Sequence, residues 1–244
     1  MPSQEHELTA FATSELPAGP WLVFAPHADD ETFGMGGTLL RAKQAGIATH
    51  VIVLTDGALG GDQDNLVSLR ESEVEQAAAM LGLSSLAIWG EPDRGLQPSA
   101  ELVGKVVAAI ASITPASVFF PGSMELHPDH RMTAEIVWSA LQTISNNGGT
   151  LPQAYAYEIS VQNPINLLID VSEVIGLKKQ VMDLYTSQNS QNNYPELVVA
   201  LDKGRTFTLP AEVEYAEGFY HYSNADLGEP LASVLQKILN RYFQ

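Results

Sequence analysis

The chain has 244 residues, of which 29 are acidic and 12 basic, so its formal net charge is −17. This balance argues against a surface that binds nucleic acid, because such a surface needs clustered lysine and arginine to neutralise phosphates. The chain has no cysteine, which excludes disulfides, thiolate metal ligands and a cysteine nucleophile. Its length predicts one domain that covers residues 1–244.

Hydrophobic residues make up 45% of the chain, but no apolar run approaches the length of a membrane span. The first 16 residues are polar and acidic, without the basic and apolar regions of a secretory signal. We therefore expect a cytoplasmic protein with no membrane span.

Strand-like and helix-like patterns alternate through most of the chain. Apolar, β-branched runs predict strands, and apolar residues at helical spacing predict helices. The elements predicted in chain order are strand 21–26, helix 34–45, strand 49–55, helix 66–81, strand 85–89, helix 100–113, strand 117–120, helix 128–144, and strands 154–159 and 166–171.

This alternation indicates βαβ units. We expect an α/β protein with a Rossmann-like, mostly parallel sheet, helices on both faces and an irregular C-terminal third. Two polar segments, 145–149 and 187–193, are predicted as loops. In such sheets ligands bind beyond the carboxyl ends of the strands.

An acidic cluster follows the first predicted strand, in Pro26-His27-Ala28-Asp29-Asp30-Glu31. Carboxylates repel one another in a low-dielectric site, and a bound cation removes that cost. His27 and Asp30 are three residues apart and could both ligate one ion, while Asp29 could take a proton from water as a general base. The alternative is a solvated helix N-terminus, where acids are favoured.

A second cluster, His127-Pro128-Asp129-His130, follows the strand predicted at 117–120. Proline at the first helical position preorganises the turn, so both histidines can lie on one side of a helix start. One could complete a ligand set and the other could donate to an oxyanion or a leaving amine, with Asp129 orienting it. The alternative is two surface histidines.

With both clusters complete, the chain resembles the PIG-L/LmbE-like family of zinc-dependent N-acetylglucosaminide deacetylases. Weaker matches follow in order: Leu54-Thr55-Asp56-Gly57, Arg70-Glu71, Lys178 with Tyr185-Thr186-Ser187-Gln188, and Ala216-Glu217-Gly218-Phe219. The resemblance spans about residues 20–222. It implies removal of an N-acetyl group from an N-acetylglucosamine-containing small molecule or glycoconjugate.

The resemblance also implies roles for individual residues. The zinc ligands would be His27, Asp30 and His130, with iron as an alternative metal. Asp29 would be the general base, and His127 the acid or oxyanion donor, oriented by Asp129. Arg70 and Asp93 fall where the family lines its sugar pocket; the alternative for both is an ordinary ion pair.

One position departs from the family pattern. Some members have a tyrosine two residues before the first histidine of the second cluster, and this chain has Glu125. A second oxyanion donor is therefore expected only if Tyr157 or Tyr194 supplies it.

Two other interpretations compete with the deacetylase. A receiver-like signalling module also carries a carboxylate pair after its first strand and binds Mg²⁺, but His27 favours zinc and the second cluster would have no role. A non-catalytic sugar-binding relative would be expected to lose Asp29 or a ligand. The expected partner is a small amino-sugar substrate, and homo-oligomers are common enough in general to expect one.

Overall fold

A computed structural model describes residues 10–62 and 64–243 of the chain. Seven strands form one sheet in the order β3-β2-β1-β4-β5-β7-β6. The strands are β1 (Trp21–Ala25), β2 (Thr49–Thr55), β3 (Ser85–Glu91), β4 (Ser117–Pro121), β5 (Gln153–Tyr157), β6 (Leu167–Asp170) and β7 (Ala216–Tyr222). Strands β1 to β5 are parallel, whereas β7 runs antiparallel to both β5 and β6. The predicted mostly parallel α/β sheet is confirmed.

Helices cover both faces of this sheet. They are α1 (Asp30–Gln44), α2 (Leu66–Leu81), α3 (Ala100–Ile113), α4 (Pro128–Asn146), α5 (Ile175–Met182), α6 (Thr186–Asn189), α7 (Tyr194–Gly204) and α8 (Leu231–Asn240). Alternate residues of β1 point to opposite faces: Trp21 and Val23 join one core cluster with α1 and α2, and Leu22 and Phe24 join another with α3 and α4. This alternation follows from the two-residue period of a strand.

Several boundaries differ from the prediction. Helix α1 begins at Asp30 rather than residue 34, and β3 continues to Glu91. The loop predicted at 187–193 overlaps α6, and the C-terminal third contains the unpredicted strand β7 and helices α5, α7 and α8. Glycine and polar residues mark loops only on average, and these segments are ordered by their tertiary contacts.

The order of the strands places two loops side by side. From the adjacent pair β1 and β4, the chain proceeds outward to β2 and β3 on one side and to β5 on the other. The carboxyl ends of β1 and β4 therefore flank the switch point of the sheet, where doubly wound folds bind ligands. His27 follows β1 and His127 follows β4.

Candidate active site

Three imidazoles meet at the switch point. The ring centre of His27 lies 4.6 Å from that of His127 and 5.4 Å from that of His130. Two overlapping groups offer ligand atoms within 4.8 Å of one another: His27 with His127 and His130, and His27 with Asp93, His127 and Asp129. These residues could bind a metal ion.

Asp30 connects two of the imidazoles. Its Oδ2 lies 3.0 Å from His27 Nδ1 and 3.3 Å from His130 Nε2. Burial alone would raise the pKa of Asp30, but the positive charges and hydrogen bonds of His130 and His27 hold it far below its usual range. The contact with Asp30 also raises the pKa of His130. Although burial opposes the charged form, that pKa is about 9.

The other nitrogen of His27 faces carboxylates. His27 Nε2 lies 3.3 Å from Asp129 Oδ2 and 3.3 Å from Asp93 Oδ1. Burial lowers the pKa of His27, yet its bonds to Asp129, Asp30 and Asp93 raise it well above its ordinary value. A metal-ligating histidine typically donates its second N–H to a carboxylate, so this arrangement fits a His27 that ligates through Nδ1.

The donor set suits a divalent cation. Imidazole nitrogens and carboxylate oxygens without thiolates fit Zn²⁺ or Fe²⁺. Asp29, Asp30 and Glu31 are consecutive and buried, and a cation would offset their mutual repulsion. The buried His130 Nδ1 makes no hydrogen bond within the described residues, and Glu125 Oε2 lies 3.6 Å from it.

Glu125 therefore has a structural position that the sequence did not reveal. It is 1% exposed and accepts hydrogen bonds from the backbone amides of Ile159 and Ser160, each at 2.9 Å. Burial would raise its pKa, but His130 and these donors lower it. Where some family members have a tyrosine, this chain places an anion behind His130.

Asp29 occupies a strained position at the start of α1. Its φ of 146° lies in the region that favours glycine, while its carbonyl accepts the first helical hydrogen bonds from Thr32 and Phe33. Such strain persists where the surrounding structure enforces it, often at functional sites. Burial raises the pKa of Asp29 to about 7 against the opposing charge of Arg70.

Arg70 does not present a free guanidinium to the cavity. It is 3% exposed, and one terminal nitrogen lies 3.2 Å from Asp29 Oδ2 and 3.1 Å from the Ala28 carbonyl oxygen. The other terminal nitrogen donates to the Gly57 carbonyl at 3.4 Å. Arg70 is thus a buried partner of Asp29, and its predicted role in binding a sugar stays a prediction.

Asp93 is held by partners within the protein. Its side chain is only 4% exposed, Oδ2 accepts from the Leu59 amide at 2.9 Å, and Oδ1 faces His27. Burial would raise the pKa of Asp93, but His27 above all holds it at about 2. In this structure the carboxylate supports His27, and its predicted role as an acceptor for a sugar hydroxyl stays a prediction.

His127 caps helix α4. The backbone amide of Asp129 donates to His127 Nδ1 at 3.2 Å, so Nε2 is the nitrogen that carries a proton in the neutral ring. The Asp129 carboxylate does not orient His127 as expected; it accepts from the Arg94 amide at 2.6 Å and contacts His27. Burial and the nearby charged histidines lower the pKa of His127.

The two tyrosines considered as oxyanion donors have different surroundings. Tyr157 is fully buried and donates its hydroxyl to the Phe24 carbonyl at 3.0 Å, so it does not reach the cavity. Tyr194 lines the cavity and stacks on Phe33 with ring centres 5.9 Å apart.

These residues open into a cavity of about 740 Å³. Its inner wall carries the candidate catalytic side chains, which are His27, Asp29, Asp30, Arg70, His127 and His130. Loops after β2 and β4 and the helix α7 form other parts of its lining. A cavity of this size accommodates a small-molecule ligand.

Buried contacts from the C-terminal third support the site. The Tyr185 hydroxyl donates to Glu31 Oε1 at 2.5 Å, and the Ser187 amide and hydroxyl donate to Glu73 at 2.8 and 2.6 Å. Sequence reasoning assigned no role to Glu31 or Glu73. The weak family match at residues 185–188 was the available signal, because it marks the segment that supplies these donors.

The fold and the paired clusters define a Rossmann-like α/β protein with a candidate metal site at its switch point. The family model described as "PIG-L: GlcNAc-PI de-N-acetylase" matches residues 22–141, which include both clusters. The predicted resemblance to the PIG-L/LmbE-like family is confirmed by this match and by the relatives described next. It argues against the receiver-like alternative.

Two curated relatives support the assignment. The probable N-acetyl-alpha-D-glucosaminyl L-malate deacetylase 2 of Bacillus anthracis is 29% identical over 182 residues, covering 68% of this chain and 80% of the relative. The diacetylchitobiose deacetylase of Thermococcus kodakarensis is 26% identical over 184 residues, covering 68% of this chain and 69% of the relative.

A solved structure shares the fold across most of the chain. The conserved protein TT1542 from Thermus thermophilus has a TM-score of 0.76 and 28% identity, with 88% of this chain and 96% of that one covered. Within residues 10–62 and 64–243, no helix is long and apolar enough to cross a bilayer.

Proposed function

We propose that this protein is a metal-dependent hydrolase that removes the N-acetyl group from an N-acetylglucosamine-containing small molecule or glycoconjugate. The products would be acetate and a free amine. One observation carries the proposal: Asp29, with a pKa of about 7, lies beside the Asp30–His27–His130 cluster on the wall of an open cavity. The names of the two curated relatives point to the same reaction.

We assign the metal to His27 Nδ1, Asp30 Oδ2 and His130 Nε2. Zn²⁺ is the first choice and Fe²⁺ the alternative, since His/carboxylate sites accept both. When bound, the ion would polarise the amide carbonyl and lower the pKa of water near it. Asp129 and Asp93, behind His27, and Glu125, behind His130, would orient the imidazoles.

Asp29 acts as the general base in this proposal. Its carboxylate takes a proton as water adds to the acyl carbon, and a pKa near the working pH suits such a transfer. Arg70 is a positioning residue, because its contact with Asp29 Oδ2 holds the carboxylate and opposes the effect of burial on its pKa.

His127 acts as the oxyanion donor. Its Nε2–H donates a hydrogen bond to the acyl oxygen as water adds to the acyl carbon, and the proton that Asp29 has taken from water passes to the sugar nitrogen as the C–N bond breaks, so that the amine leaves neutral. The hydrogen bond from the Asp129 amide to Nδ1 keeps the proton on Nε2. The cytoplasmic location, the homo-oligomer and the single domain over residues 1–244 stay predictions.

The test combines metal content with product release. Protein purified without added metal should contain about one zinc or iron ion per chain, and it should release acetate from at least one N-acetylglucosaminyl compound. We expect His130→Ala to lose most of the metal, whereas the matched variant His127→Ala keeps it and loses turnover.

Each outcome has a distinct consequence. Equal metal content in the two variants would contradict the ligand assignment. A metal-replete protein that binds amino sugars but releases no acetate would replace the proposal with the non-catalytic sugar-binding alternative.

A further inference from the structure

One wall of the cavity is apolar. Helix α7 places Tyr194, Leu197, Val198 and Leu201 on the cavity, at the i, i+3, i+4 and i+7 spacing of a single helical face. Leu197 is 50% exposed. This part of the face therefore borders open space rather than the core.

Two further leucines approach the same space from other segments. Leu59 follows β2 and is 55% exposed, and Leu126 precedes α4 and is 70% exposed; both line the cavity. We name Leu59, Leu126 and Leu197 the leucine rim. Exposed leucines are ordinary when scattered, but their convergence on one concave site marks a binding surface.

The leucine rim cannot be explained by an acetamido sugar alone. The sugar is small and polar, and the His/Asp wall supplies the groups that its amide needs. The rest of the lining of this cavity of about 740 Å³ mixes polar side chains, such as Gln188 and Gln191, with the apolar ones. The apolar side chains gain free energy only if they are removed from water.

We infer that the substrate carries an alkyl or aryl group that binds against the leucine rim. The inference rests on the proposed function and narrows its substrate class to apolar-substituted amino sugars. Because the rim and the catalytic side chains line the same cavity, one substrate can contact both through its sugar and an attached apolar group. The net charge of −17 disfavours the alternative of an anionic lipid surface.

The apolar group has two possible sources, which are the glycosidic substituent and the N-acyl chain. The first arm of the experiment uses methyl, butyl and hexyl glycosides of N-acetylglucosamine. The second uses the methyl glycoside with acetyl, butanoyl and hexanoyl groups on nitrogen. Affinity is measured by calorimetry on zinc-loaded Asp29→Asn protein, and amine release is measured on the unmodified enzyme.

In one arm we expect the dissociation constant to fall about fourfold for each added methylene, the value for full burial. The Leu126→Gln and Leu197→Gln double substitution should flatten that series. The matched control is Leu177→Gln, which replaces an exposed leucine outside the cavity and should leave the slope unchanged. The arm that shows the slope identifies the source.

Flat series in both arms would overturn the inference, even if every compound is hydrolysed. A slope that survives the double substitution would overturn it as well. A flat series combined with a dimer that the double substitution dissociates, seen by analytical ultracentrifugation, would assign the leucine rim to contacts between copies. A slope without amine release would support the binding site and refute the proposed function.

Discussion

The segment from β1 to α4 and the segment from β5 to the C-terminus contribute differently to the site. The first is a regular βαβ succession, and it supplies both His/Asp clusters at the carboxyl ends of β1 and β4. The second contains the antiparallel strand β7 and short helices, and it supplies buried hydrogen-bond partners. Residues with chemical roles can thus come from one segment while another holds them in place.

Glu217 joins the two segments through several buried contacts. The regular path of α1 is interrupted at Met35, which has φ −146° and ψ 23°. Glu217 on β7 accepts from the Gly37 and Thr38 amides at 2.8 and 2.7 Å. Its Oε1 also lies 2.7 Å from the ammonium of the fully buried Lys178. The Glu217 carboxylate thereby accepts hydrogen bonds from two backbone amides of α1 just after this interruption, and α1 is the helix that begins with Asp30.

The sharpest contrast is expected from Asp29→Asn in the first segment. Loss of a general base should lower kcat/KM by about 10²–10⁴-fold and leave the metal content unchanged, because Asp29 is not an assigned ligand. Steady-state kinetics and elemental analysis on the same preparation test this. The exposed Asp183→Asn, which lies outside the cavity, serves as the control. Loss of the metal from Asp29→Asn would show that Asp29 is needed for metal binding, which would contradict its assignment as a general base that is not a ligand.

Glu217→Ala should have its main effect on stability. It leaves Lys178 without one of its two carboxylates and two α1 amides without an acceptor, and breaking such a buried pair costs about 3–5 kcal/mol. Urea unfolding of the metal-free protein measures the change, with Glu217→Gln expected to fall between the alanine variant and the unmodified protein. The exposed Glu214→Ala should shift stability by less than about 0.5 kcal/mol. Equal stability of all three variants would remove Glu217 from this role.

Metal affinity should increase with pH. The pKa of His130 is about 9 in the metal-free protein, and the pKa of His27 is also raised, whereas a metal binds only neutral imidazole. Well below its pKa, each protonated ligand weakens binding tenfold per pH unit. Because His130 is half protonated at pH 9, it alone predicts about fiftyfold weaker zinc binding at pH 7 than at pH 9. Chelator competition across this range, corrected for chelator protonation, is the measurement. Constant affinity would mean that these histidines are already neutral.

The smallest effect is expected from Tyr185→Phe in the second segment. It removes a donor to the buried Glu31 and a contact of 3.0 Å with the Thr32 hydroxyl. Leaving a buried acceptor short of one donor costs about 1–3 kcal/mol. We expect that loss in thermal or urea unfolding, with kcat changed by less than the effect of Asp29→Asn. A large fall in kcat without loss of stability would place Tyr185 in the chemistry instead.

Local patterns predicted the regular segment well. Helices 66–81 and 100–113 and strand 49–55 have the predicted bounds, because apolar periodicity and stop signals lie within each segment. Both clusters were placed correctly after β1 and β4 for the same reason. The start of α1 was missed, because the four residues before Gly34 look like a charged turn until they are buried at the switch point.

Contacts between distant residues could not be predicted from these patterns. Asp93 follows β3, so an acidic group at a strand end was visible, but its contact with His27 depends on how β3 and β1 are placed in the sheet. From the sequence, Arg70 could equally have faced a sugar or a carboxylate. In the structure its guanidinium contacts the Asp29 carboxylate and the Gly57 carbonyl. Strand β7 does not alternate between apolar and polar residues as a half-buried strand does. Its first four residues are all buried, and they are Ala216, Glu217, Gly218 and Phe219.

The sequence by itself determined the α/β class, the two His/Asp clusters and their family, because each depends on residues close together in the chain. Only the tertiary structure decided which carboxylate supports which histidine. It also decided that Glu125, Asp129 and Asp93 lie behind the imidazoles, and that leucines from three segments line one cavity. The physical reason is that burial and pairing set the charge state and position of a side chain, and both depend on which strands and helices become neighbours.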